Sequence, residues 1–295
     1  MVLSQTETER YRAILLETLK AFKKVCEDNS LRWWMAFGSA IGTVRHGGFI
    51  PWDDDVDVFM PRHDYEKFLK IKVEGYDIVG IRTAGDGEDY PFPYIKFCDG
   101  SSTIWERQTY PCVFGVFLDV FPLDETGEAG DAEDFRLRYR AAFHGYKRAQ
   151  RFYPRGTFLR RLAGGDLRGA VKTAVDSLWY RPRTESLRNA FLEYESQAAQ
   201  RKGGDLIVYG TSSDYRGMTM PRDRFGETVL MKFEDMEVNM PSGYDAILRA
   251  FYGDYMQLPP APERLSGHYH YFVDLDRRLT LSEAMDRMSL QGKFE

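Results

Sequence analysis

Cysteine is scarce in this chain: three in 295 residues, Cys26, Cys98 and Cys112. They are far apart and odd in number, with no Cys-x-x-Cys pair and no histidine at zinc spacing. That argues against a disulfide framework or a zinc site and fits a reducing, cytoplasmic compartment with the thiols buried in the fold. No stretch approaches the ~18 uncharged apolar residues of a membrane-spanning helix. The stretch 1–20 carries acids and no continuous apolar run, so it does not read as a signal peptide. Positive charge is not in excess either. The net charge of -5 argues against nucleic acid as a partner. Internal repeats and low-complexity linkers are missing. What remains is an ordinary globular composition with a high aromatic share of 15%, long enough for one large domain or two modest ones.

The informative residues concentrate in 36–60, AFGSAIGTVRHGGFIPWDDDVDVFM. Asp53, Asp54, Asp55 and Asp57 place four acids in five positions. Carboxylates this close repel by up to ~1 kcal/mol per pair even in water. Trp52, Val56, Val58 and Phe59 beside them call for burial. Asp55-Val56-Asp57-Val58 alternates polar and apolar, so at a strand's period of two Asp55 and Asp57 point the same way. A solvated acidic turn before a strand is the bland explanation. A hard divalent ion between the two carboxylates is the sharper one, because such ions take carboxylate oxygens together with substrate phosphates. Asp53 and Asp54 then support the loop.

Residues 5–28 read as an amphipathic helix, with Leu15, Leu19, Phe22 and Cys26 at spacings of three and four and a cap at Thr6 or Thr8. Leu31 to Phe37 reads as a buried strand, followed by a Gly38-Ser39 turn and a short helix over 40–45. That order aims backbone N–H groups and the Ser39 hydroxyl at open space, a geometry that accepts a phosphate oxygen. Arg45 either pairs with Asp53 or Asp54 or holds a phosphate in its planar fork. His46 is either a supporting side chain or a catalytic one. A helix over 62–71, a strand over 76–82, a Gly/Asp loop at 86–89 and a strand over 92–97 follow. Lys96 on that last strand is a snorkelling surface lysine or a phosphate contact. Residues 113–124, VFGVFLDVFPLD, enclose Asp119 in an apolar run. A carboxylate is costly to bury unpaired. Asp119 therefore pairs with a basic group, or it lies on a strand beside Asp55 and Asp57 as a third carboxylate. Asp124, after Pro-Leu, reads as a cap or loop acid.

From 131 onward the pattern turns helical, over 131–151, 155–179 and 183–201. Between Arg136 and Lys172 there are eleven Lys/Arg and one acid, Asp166. This segregation marks a solvated face, a patch for an anionic acceptor, or a contact for an anionic membrane surface. Gly203-Gly204 is a hinge. A strand at 206–209, a β-segment over 218–239 that returns to the core, and a helix from Pro241-Ser242 to Phe251 complete the reading. His268 and His270 form a His-x-His with no third soft ligand, so no metal is expected there. The fold class is mixed α/β (α+β), divided into a core over 1–130, a helical, basic, acceptor-side region over 131–204 and a C-terminal segment over 205–295 packing back on the core.

Gly38-Ser39, Arg45-His46, the run Gly48 to Asp57 with FIPWDDDVD, Met60-Pro61-Arg62, Lys96, Leu118 to Asp124 and Tyr252-Gly253-Asp254-Tyr255-Met256 together resemble the LicD family closely. The resemblance covers most of the chain and is weakest over 131–201. It implies a branch of the nucleotidyltransferase superfamily, with a mixed sheet flanked by helices, a Gly-Ser opening a helix, an acid-x-acid strand and a third acid on a neighbouring strand. Carried over, these are Gly38-Ser39, Asp55 and Asp57, and Asp119.

The resemblance further implies transfer of a phospho-alcohol, such as phosphocholine, from a CDP-linked donor to a hydroxyl of a surface glycan or lipid-linked glycan. CMP is released. Lipopolysaccharide, teichoic acid and capsular polysaccharide are the acceptor classes. Asp55, Asp57 and Asp119 would hold one or two Mg²⁺ or Mn²⁺ ions, with Asp119 also helping to deprotonate the acceptor. Gly38 and Ser39 would cradle the departing phosphate, Arg45 and Lys96 would contact phosphate, and His46, Trp52, Asp53 and Asp54 would support. Trp33, Trp34, Trp52, Tyr90, Phe92, Tyr94 and Trp105 are the rings available to a choline cation. The rival readings are a nucleotidyltransferase that attaches a nucleoside monophosphate and a non-enzymatic glycan- or lipid-binding module. The expected location is cytoplasmic, with peripheral contact at the inner membrane face.

Overall fold

The computed structural model describes residues 3–83, 90–128, 130–210, 219–264 and 270–290. The Gly/Asp loop 86–89, Met218 and His268 lie outside them. Helix α1 (Gln5–Asp28) starts at Ser4 rather than at Thr6 or Thr8: the Glu7 N–H donates to the Ser4 hydroxyl, and the Glu7 carboxylate accepts from the Ser4 N–H. This reciprocal pairing satisfies two donors that an uncapped helix end leaves open. Tyr11, Leu15, Leu19, Phe22 and Cys26 form its buried stripe. The stripe lies on a sheet ordered β1 (Trp34–Met35), β2 (Asp57–Pro61), β6 (Phe117–Glu125), β4 (Ile95–Asp99) and β3 (Tyr76–Val79). β2 and β6 run parallel and the other pairs antiparallel, so the sheet is mixed.

The first strand is shorter than the apolar run 31–37 suggests. Phe37 turns the chain at φ 45°, where a side chain other than glycine is strained. Phe59, Phe121 and Phe251 pack around its ring and hold it there. α2 (Phe37–His46) leads off from that turn, and α3 (Arg62–Phe68) follows β2 directly.

Helices α4 (Ala132–Ala149) and α7 (Thr184–Gln200) pack as a pair at the β6 side of the sheet. Between them lie α5 (Thr157–Ala163), α6 (Leu167–Val175) and a π-helical turn, Asp176–Tyr180. β7 (Leu206–Ile207) pairs with β6 and with β8 (Thr219–Met220). β9 (Thr228–Phe233) and β10 (Met236–Pro241) form their own hairpin against β1 and α2. β11 (Phe272–Asp274) pairs with β5 (Thr103–Trp105). Beside it, Ala284 and Met288 of the helix Leu281–Leu290 are buried with Trp105. No described helix is long and apolar enough to cross a membrane.

Asp124 is not a loop acid. It sits inside β6, buried, and accepts from both Nε (2.7 Å) and Nη2 (2.8 Å) of Arg62, whose Nη1 donates to Glu195 at 3.0 Å. The first residue of α3 thereby ties β6 to α7. Burial pushes the Asp124 carboxyl up, and Arg62 opposes that rise. Cys26 and Cys98 are buried free thiols, while Cys112 is half-buried.

Candidate active site

Asp57 opens β2 directly opposite Asp119 of β6 in the parallel ladder, and the Asp119 N–H donates to Val56 O at 2.8 Å. Neighbouring strands lie about 4.8 Å apart, so register alone brings the two carboxylates onto one face. Asp55 precedes the strand by two residues and adds its charge. Burial, then Asp55, Asp119 and Asp53, push the Asp57 carboxyl well above the ordinary carboxylate range, with Lys96 pulling the other way.

Lys96 stands behind the carboxylates rather than out in the cleft. It is fully buried, 2.7 Å from Asp119 and 3.4 Å from Glu106. Its ammonium lies over the Phe117 ring at 3.4 Å and the Phe92 ring at 4.6 Å. Desolvation alone would lower its proton affinity, but Asp119 and Glu106 outweigh that and raise it. It is a charged anchor for Asp119, not the surface lysine its strand position suggested. Asp119 thus has a basic partner and also stands opposite Asp57 in the ladder.

Gly38 and Ser39 form the first turn of α2. Ser39 is buried, and its Oγ accepts from the Asp57 N–H at 2.8 Å. The hydroxyl thus fixes the start of β2. A Cβ at Gly38 would stand 2.9 Å from Asp53 Oδ2, so the acidic loop comes close against this helix start. An anion there is favoured by the N–H groups of the first turn. Asp53 is thus the carboxylate beside the turn at which a phosphate was expected. The loop is held from outside by Arg12, which donates to Pro51 O at 2.8 Å and Asp53 O at 2.6 Å.

Arg45 donates to Tyr255 O (2.6 Å) and to His46 Nε2 (2.9 Å), rather than to Asp53 or Asp54. His46 is exposed, stands edge-on to Trp52, and is lowered in proton affinity by desolvation and by Arg45. Asp54 approaches His270 at 4.0 Å. Of the rings considered for choline, Trp33, Trp34, Tyr90 and Trp105 belong to the core, whereas Trp52 and Tyr94 remain partly open.

Several neighbours of the acids are not among the expected site residues. Tyr94 is raised in pKa by burial and then by Asp119, Glu106 and Asp57. Tyr252 is raised by desolvation and then by Asp57, Asp55 and Asp53. The Tyr11 hydroxyl is raised by burial and Asp54, and the Tyr11 ring lies tilted against His270 at 5.3 Å. Glu106 sits alone in sequence and is drawn in only by Lys96. A separate cavity of about 270 Å³, lined by Arg32, Arg62, Arg201 and Arg222 among others, lies at the far ends of β2 and β6 and takes no part in this cluster.

An all-oxygen donor set on a crowded, partly desolvated face fits a hard divalent cation. Among the described residues no three carboxylate, imidazole or thiol side chains already stand close enough to share one ion. The fit rests instead on the mutual repulsion that lifts Asp57.

Residues 30–151 match the family model described as LicD/FKTN/FKRP, nucleotidyltransferase domain, which contains every residue of this cluster from Gly38 to Asp119. Lipopolysaccharide cholinephosphotransferase LicD of Haemophilus influenzae is 25% identical over 257 residues, covering 86% of this chain and 93% of that protein. Residues 30–151 thus carry a LicD-type domain. Ribitol 5-phosphate transferase FKRP of Homo sapiens is 46% identical over 44 residues, only 15% of this chain and 9% of that protein. An uncharacterized protein of Rickettsia typhi is 31% identical over 77 residues, 24% of this chain and 25% of its own.

Proposed function

We propose that this chain is a LicD family phosphotransferase that moves a phospho-alcohol, phosphocholine or a similar group, from a CDP-linked donor to a hydroxyl of a surface glycan or its precursor. By their descriptions, the Haemophilus relative transfers choline phosphate to lipopolysaccharide and the human one transfers ribitol 5-phosphate. Transfer of a phosphorylated alcohol is their common chemistry. The observation that carries the reading here is the register of Asp57 against Asp119, with Asp55 beside them and Lys96 anchoring the pair.

In the reaction the acceptor oxygen forms a bond to the phosphorus that bears the alcohol. The bond from that phosphorus to the CMP oxygen breaks, and CMP leaves with the electron pair. Asp119, oriented by Lys96, would help take the acceptor proton. Mg²⁺ or Mn²⁺ held by Asp55, Asp57 and Asp119 would neutralise phosphate charge. Ser39 keeps Asp57 in place through its N–H.

The acceptor side of the reading includes a lipid-linked glycan at an anionic membrane surface. α5, α6 and the π-helical turn expose Leu159 (65%), Leu178 (77%) and Trp179 (60%), with Leu167 and Val171 between them. Arg155, Arg160, Arg168 and Lys172 are exposed around these residues. Apolar side chains ringed by cations suit an anionic lipid interface. Part of the basic stretch is spent internally: Arg148 and Arg151 hold buried Asp176.

The test is product analysis with CDP-choline, a glycan acceptor and Mg²⁺. CMP should appear in step with phosphorylated acceptor and stop with a chelator. Pyrophosphate released from a nucleoside triphosphate, with no CMP from the CDP-alcohol, would instead establish the nucleotidyltransferase reading.

A further inference from the structure

A second feature lies on the same sheet face as Asp119. Phe121, two residues further along β6, packs against Tyr94 at a ring distance of 4.3 Å. The two rings floor a cleft of about 280 Å³ whose wall carries Arg107, Arg140, His144 and Lys147. Among the described residues no carboxylate lines it, although the chain is acidic as a whole. Among the described residues none of Arg107, Arg140 and Lys147 forms an ion pair, unlike Arg136, Arg138, Arg148 and Arg151 on the same helix and its end. Lys147 is half-buried among the rings of Phe143 (5.5 Å), Tyr110 (5.6 Å) and Phe92 (5.8 Å).

We propose that this cleft is an anion site for a phosphate-bearing group, a diphosphate or phosphate monoester, held beside the carboxylates by Arg107, Arg140 and Lys147. Among the described residues an exposed arginine (Arg107) and a half-buried one (Arg140) have no ion-pair partner and stand beside half-buried Lys147; such a group of cations is suited to a ligand that brings negative charge. The strain registers on the groups themselves. Desolvation, Arg107 and Arg151 bring Lys147 down to about 8, and desolvation, Arg140 and Lys147 lower His144. The same charge repels a choline-type cation, so the alcohol end of a donor lies elsewhere. This inference deepens the transferase reading and rests on it only for the identity of the phosphate carrier. That carrier is the nucleotide donor or a phosphorylated acceptor.

The test is titration calorimetry on the full chain with three probes, CDP, glucose 1-phosphate and pyrophosphate, comparing wild type with Lys147→Met and Arg140→Ala. Both variants should weaken pyrophosphate at least tenfold. Loss of CDP affinity as well marks the donor as the carrier, and loss of glucose 1-phosphate affinity marks the acceptor. Lys147→Met should keep or raise Tm, because it removes a charge that folding disfavours, whereas a merely structural lysine would lower it. Unchanged affinity for all three probes in both folded variants overturns the proposal. CMP formation by wild type is scored separately. Its absence, with pyrophosphate binding still dependent on Lys147, would remove the transferase reading and leave the anion site standing.

Discussion

At the residue scale the acids are the decisive feature, and their pairing was open to a reader of the sequence only in part. Period two puts Asp55 and Asp57 on one side, and the apolar run around Asp119 marks it as out of place. What the sequence does not reveal is that Lys96 closes on Asp119 and Glu106, because that contact joins β4, β6 and a loop across the sheet. Ser39 likewise reads as a phosphate cradle, yet its hydroxyl is turned to the Asp57 N–H. A testable consequence concerns charge. The folded-state pKa of Asp57 is raised above its unfolded value, so its contribution is present below about pH 4 and is lost as pH rises through the folded pKa. In divalent-free buffer, Asp57→Asn should therefore be more stable than wild type at neutral pH, with the difference shrinking toward pH 4. Melting curves over that range check it. Added Mg²⁺ should raise the wild-type Tm and leave the variant unmoved, and the variant should lose nearly all transfer activity. An equally active variant would remove Asp57 from the site.

At the element scale the long helices were the most legible, since α1, α4 and α7 carry enough turns for their apolar stripes to repeat. Short pieces were not. β5 and β11 are three residues each and exist only because segments far apart in the chain meet. Asp124 was misplaced for the same reason: its partner Arg62 lies on α3, and nothing local to VFPLD announces it. That network joins three elements in a buried setting, where removing one partner costs about 3–5 kcal/mol. Asp124→Ala should lower the urea midpoint accordingly, while Arg62→Met/Asp124→Leu/Glu195→Gln should recover much of the loss by removing all three buried charges. A midpoint unchanged in Asp124→Ala would show the network to be energetically idle.

At the scale of the whole molecule, the basic stretch resolves into three fates: internal pairs around Asp176, cleft cations at Arg140 and Lys147, and an exposed rim around Leu159, Leu178 and Trp179. Composition gave the excess of charge but not this division, which depends on how α4 to α7 stack. Wild type should float with vesicles containing phosphatidylglycerol and far less with phosphatidylcholine alone. Leu178→Ser/Trp179→Ser should stay in the soluble fraction with Tm unchanged, and equal flotation of wild type and variant would sink the membrane reading. The Asp57–Asp119 ladder has a consequence in time as well as in space. The two carboxylates come from strands separated by some sixty residues of chain, and a shift of one residue between those strands would turn one acid to the opposite face. On the proposed chemistry, compaction without correct pairing would leave the enzyme silent. During refolding, the return of turnover would then be a clock for the moment these two strands find their alignment.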